Sequence, residues 1–102
     1  MVEQVFPFGT GQRIEKLLRD ENLHYIHMLF PQGEGMPEHN ANATLYMTVL
    51  RGTLSITLDG QEPHIYDGGT LLKIPKGTLM TVTNQHPRML ELIVVKAPAP
   101  SV

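Results

Sequence analysis

Short apolar or β-branched segments alternate along this chain with breaks of Gly, Pro, Asn and Asp. Residues 23–30, 44–50, 53–58, 64–66, 70–74, 79–83 and 90–95 each read as a strand: apolar residues recur there at period two or run unbroken over strand length. The nine Gly and eight Pro fall mainly between these segments and punctuate them. Residues 44–50 and 53–58 are expected to form a hairpin about Arg51-Gly52, with Asp59-Gly60 making the next turn. The run 90–95 is expected to be buried on both faces. Residues 12–19 read as a strand, because turn-rich Asp20-Glu21-Asn22 leads directly into a partner strand; a short helix over 13–19 is the alternative. Residues 1–11 read as an irregular arm, with Phe6 and Phe8 flanking Pro7, and 97–102 as a frayed tail. The remaining span, 12–96, carries seven to nine short strands (roughly counted), which predicts an all-β sandwich or barrel.

Composition narrows the class. At 102 residues there is room for one domain, and 41% hydrophobic with 18% charged residues is the balance of a globular chain. The net charge is −2 and the eight Lys and Arg are scattered, so no basic stripe exists to neutralise phosphates and no nucleic-acid partner is expected. No apolar run approaches the ~20 residues of a membrane span, and no membrane partner is expected. The start shows no signal-peptide pattern. With no Cys, disulfides, thiolate metal sites and a Cys nucleophile are excluded together. These features fit a cytoplasmic protein.

Two stretches organise the chain. The first has Gly33, five residues, His39, one residue, Ala41, three residues, Leu45, six residues and Gly52. The second has Gly69, five residues, Pro75-Lys76-Gly77, two residues, Met80, three residues and Asn84. This pair of frames resembles the two motifs of the cupin superfamily, over roughly residues 12 to 96. The resemblance implies a cupin-like double-stranded β-helix, a jelly-roll barrel. It also identifies the positions from which metal-binding cupins supply ligands, two His and one Glu in the first motif and one His in the second. Here those positions hold His39, Ala41, Leu45 and Met80. Only His39 is retained, so no metal and no other cofactor is expected. The Gly, Pro and Asn frame is intact because its duties are structural: positive φ at tight turns and a preset turn at Pro75.

Strand parity gives an expected pocket. If Leu45 takes the inward position, Met47 and Val49 share its side. His39 and Ala41 share a parity, as do Met80 and Val82. The expected ligand pocket is therefore His39, Ala41, Leu45, Met47, Met80 and Val82, with Met28 and Met36 close by. Buried Met is commonly core filler, and His39 alone is commonly a hydrogen-bonded remnant. His24 and His27, three apart on a strand, lie on opposite faces and do not form a chelating pair. No catalytic residue is assigned. Outward Tyr46, Leu50, Leu54 and Ile56 are expected to expose apolar area that a homodimer covers. The expected function is binding of a small apolar or amphipathic molecule. The alternative is a metal-dependent oxygenase or isomerase with atypical ligands around His39.

Overall fold

A computed structural model describes residues 1–9 and 11–100. Among these residues there are nine strands and no helix: β1 Ile14–Arg19, β2 His24–Phe30, β3 Gly35–Asn40, β4 Leu45–Arg51, β5 Thr53–Leu58, β6 His64–Asp67, β7 Thr70–Ile74, β8 Leu79–Thr83 and β9 Leu90–Lys96. They build two antiparallel sheets. One has the order β1-β2-β9-β4-β7, the other β3-β8-β5-β6. The fold is the all-β double-stranded β-helix that the motif frames imply. Within 12–19, residues 14–19 form a strand rather than a helix, since their backbone groups pair with β2, with Ile14 opposite Met28 and Arg19 opposite His24.

The core lies between the sheets. Its walls are inward rows at period two: Ile26, Met28 and Phe30 on β2, Leu45, Met47 and Val49 on β4, Leu90, Leu92 and Val94 on β9, and Met80 and Val82 on β8. All eleven are at most 5% exposed. The other face of β9 is less uniform. Ile93 is buried there, while Glu91 and Val95 are only partly covered.

Two local expectations are corrected. β4 and β5 are not a hairpin: β4 pairs with β7 and β9, while β5 pairs with β6 and β8. Gly52 is the corner at which the chain crosses from one sheet to the other. It has φ of 83°, and a Cβ there would collide with the Met89 carbonyl at the approach to β9. The crossing also resets parity, so Leu54 and Ile56 do not extend an exposed apolar face but are 0% and 1% exposed in the core.

β3 is a strand that its sequence hides. Gly35, Pro37 and a polar second half argue against one, yet it forms as the edge of its sheet, where Pro is tolerated. Its register against β8 shifts between Met36 and His39, around Pro37. Asn84 explains its place in the second frame. Its side-chain nitrogen donates to the carbonyls of Phe30 and Arg88, each at 2.8 Å, and its oxygen accepts from the His86 amide at 3.0 Å. Fully buried and fully bonded, it ties the ends of β2 and β8 to the turn before β9.

Candidate functional site

At one end of the barrel the inward rows leave a cavity of about 160 Å³ between the five-stranded sheet and β3. Ile14 and Lys16 of β1, Ile26 and Met28 of β2, Met36 and His39 of β3, Leu45 and Met47 of β4, and Val94 and Lys96 of β9 line it. The interior is apolar. The polar groups are at its open side, where Lys16 and His39 are exposed and Lys96 is half-buried.

The two lysines occupy inward strand positions. Lys96 ends the row Leu90, Leu92, Val94, and it sits opposite both His24 and Leu45 across the sheet. Lys16 is opposite Ile26, in the neighbouring row. Burial holds the Lys96 ammonium below its ordinary value, and the charge of Lys16 adds to this. Lys96 Nζ donates to Asn42 Oδ1 at 2.9 Å. Among the described residues neither lysine has a carboxylate within ion-pair distance. An exposed ion pair, Arg13 Nε to Glu34 Oε1 at 2.7 Å, joins the residues that precede β1 and β3.

His39 Nδ1 lies 2.9 Å from the Pro37 carbonyl. A carbonyl only accepts, so Nδ1 carries a hydrogen and donates it. Of the six residues expected to form the pocket, the structure brings His39, Leu45 and Met47 to this cavity. Ala41, Met80 and Val82 pack in the core and do not line it. Met28 and Met36 do line it. Lys16 and Lys96 escape sequence reasoning, although a lysine closing the period-two row Leu90-Leu92-Val94 is a signal that could have found one of them. Among the described residues, no three His, Cys, Asp or Glu side chains are grouped to hold a metal ion.

The outer face of the same sheet holds a second polar group. His27, 2% exposed, places Nε2 2.7 Å from Glu91 Oε2 and Nδ1 3.5 Å from Glu15 Oε1. The Glu91 carboxylate also accepts from Arg51 Nε at 2.9 Å. Burial by itself pushes the Glu91 carboxyl up, but hydrogen bonds from His27 and Arg51, joined by their charges, outweigh it and leave it below its ordinary value. The N-terminal arm closes over this group. Phe8 stacks on the His27 ring with centroids 4.7 Å apart, and the Gly9 amide donates to Glu15 Oε1 at 3.3 Å. Beside it, Phe6, Phe8, Leu17, Leu18 and Tyr25 line an open hollow of about 250 Å³ that has no charged side chain in its lining. The barrel cavity is the better candidate site, since it combines an apolar interior with charged groups at its mouth.

Comparison with known proteins agrees with this architecture. No family model matches the chain. The chain is 35% identical over 103 aligned positions to an uncharacterised protein of Methanocaldococcus jannaschii, MJ0764, covering 98% of this chain and 89% of the relative. The crystal structure of that protein, described as an RmlC-like cupin family protein with a double-stranded β-helix fold, superposes with a TM-score of 0.89 over 96% of this chain and 93% of the other. A cupin 2 conserved barrel domain protein of Salinispora arenicola shares the fold at 14% identity, with a TM-score of 0.79 over 93% and 88% of the two chains. The Cnp3 cupin domain of Schizosaccharomyces pombe does so at 16% identity, with a TM-score of 0.76 over 84% and 65%. The motif frames, the two-sheet topology and the 35% identical relative agree that the chain belongs to the RmlC-like cupin family.

Proposed function

We propose that this protein binds a small apolar or amphipathic molecule in the barrel cavity, without a metal. The observation that carries the reading is the cavity itself: about 160 Å³, with an apolar interior and an open side marked by His39, Lys16 and Lys96. Its methionines, Met28, Met36 and Met47, give walls that repack around a ligand. The metal that the fold family implies does not fit the residues present. Ala41, Leu45 and Met80 stand at three of the four ligand positions, and of these only the Met80 thioether carries a donor atom, a soft one. His39 is one imidazole, where such sites use three or four protein ligands.

Mass spectrometry of the untagged protein under native conditions, together with elemental analysis, tests this. A co-purifying organic molecule with metal well below one per chain is the expected result. One transition metal per chain, lost in His39→Ala, would overturn it. The reading includes a homodimer, supported by exposed Leu50 on β4 and Leu71 on β7. A monomeric mass by light scattering at tens of micromolar would remove that part.

A further inference from the structure

We infer that the cavity's ligand is a small amphipathic carboxylate, with its apolar body among Met28, Leu45 and Met47 and its head group between Lys16 and Lys96. This inference rests on the reading of the cavity as a binding site and adds the chemical class of the occupant.

The placement of the lysines carries it. A row that runs Leu90, Leu92, Val94 into the core should end on an apolar residue or leave the sheet, and it ends on Lys96 instead. The neighbouring β1 row runs from Ile14 to Lys16 into the same cavity. Two cations therefore converge on the mouth of an apolar chamber. Among the described residues no anion of the chain offsets them. Like charges beside low-dielectric walls oppose each other, and burial disfavours an unpaired ammonium. The Lys96 ammonium, held below its ordinary pKa first by burial and then by the charge of Lys16, is the local sign of both effects. An arrangement that costs stability and serves no internal ion pair is explained by an external anion.

The other groups restrict that anion. Lys96 gives one of its three N–H donors to Asn42, which fixes the ammonium at the mouth and leaves two for a ligand. His39 has Nδ1 committed to the Pro37 carbonyl, which leaves Nε2 as its one remaining polar atom for a ligand. The chamber volume of about 160 Å³ is close to the ~150 Å³ of an engineered apolar cavity that binds benzene. An apolar body of about six carbons fits such a space. A bare anion leaves the apolar interior unused, and a neutral molecule leaves the lysines uncompensated.

The test uses protein with ¹³C-labelled methionine methyls, titrated in an NMR spectrometer with benzoate, benzyl alcohol and inorganic phosphate. Benzoate is expected to shift the Met28, Met36 and Met47 methyls to saturation, about tenfold tighter than benzyl alcohol, the worth of one charge-assisted hydrogen bond. Lys96→Met is expected to weaken benzoate about tenfold and leave benzyl alcohol unchanged; Lys16→Gln does the same to a smaller degree. Both variants change groups at the mouth and leave the core rows intact. Equal affinity for benzoate and benzyl alcohol, indifferent to both lysines, would overturn the carboxylate and leave a binder of neutral molecules. Phosphate binding as tightly as benzoate would overturn the amphipathic class. No methyl shift with any probe would overturn this inference and the proposed function together.

Discussion

The two faces of one sheet treat their ionisable groups in opposite ways. On the outer face of β1-β2-β9, His27, Glu15 and Glu91, joined by Arg51 from the end of β4, form a cluster in which acid meets base, and the arm covers it through Phe8. On the inner face of the same three strands, exposed Lys16 and half-buried Lys96 stand at the cavity's open side with no carboxylate within ion-pair distance among the described residues. The first arrangement is covered: Glu91 is answered by His27 and Arg51, and the arm packs over the group. The second is open, and its charges are answered only by something that enters. A polar group in a strand row that should be apolar is thus informative by its partners. Internal complementarity marks structure, and its absence marks a site.

Breaking the closed cluster should cost the most. His27→Ala removes the group that joins two carboxylates under the arm, and is expected to lower the unfolding free energy by about 3–5 kcal/mol in urea titration. A loss under ~1 kcal/mol, the range of exposed pairs, would mean that the cluster is not structural. Asn84→Ala comes next, at about 2–3 kcal/mol, because it leaves the Phe30 and Arg88 carbonyls without their buried donor.

The open pair should respond with the other sign. Lys96→Met replaces a half-buried, unpaired cation by an apolar residue of similar length and is expected to raise stability by about 0.5–1 kcal/mol while weakening carboxylate binding. The smallest effect is expected at Arg13→Ala, under ~0.5 kcal/mol, since that pair with Glu34 is exposed on both sides.

Acid sharpens the same contrast. The Glu91 carboxyl binds its proton more weakly in the folded chain than its ordinary value of 4.5. Its contribution is therefore complete above that value and is lost as pH falls below it through the folded pKa. Denaturation midpoints measured from neutral pH down into the acid range should decline in that window. The decline should be shallower in Glu91→Gln, and an unchanged slope would remove Glu91 from the cluster's account.

Much of the fold was legible because turn residues and motif spacing are local. Gly52, Pro75, Gly77 and Asn84 keep their positions whatever the barrel binds, and strand parity placed Leu45 and Met47 at the cavity. What was hidden depends on distant partners. β3 lacks an alternating pattern and exists because β8 offers it an edge to pair with. The corner at Gly52 reads like a hairpin until the sheets are known. His27 was set aside as a chelating partner of His24, and they do lie on opposite faces, yet its own partner Glu91 is 64 residues away. Lys16 and Lys96 are unremarkable in a scattered set of cations until three strands align them on one face. Ala41, Met80 and Val82 share the expected inward parity, but the side chains around them close off that part of the barrel, so they fill core instead of lining the cavity.

One measurement tests the central claim most directly: urea unfolding midpoints of the wild type and Lys96→Met, each with and without saturating benzoate. A ligand that binds only the folded chain stabilises it by RT ln(1 + L/Kd), where L is the free ligand concentration, and so raises the midpoint. The expected result is a wild type that benzoate stabilises, and a variant that is more stable without ligand and gains less from the same benzoate concentration. A variant less stable than the wild type, with an undiminished response to benzoate, would contradict the account: Lys96 would then be part of the barrel's structure and not of its site.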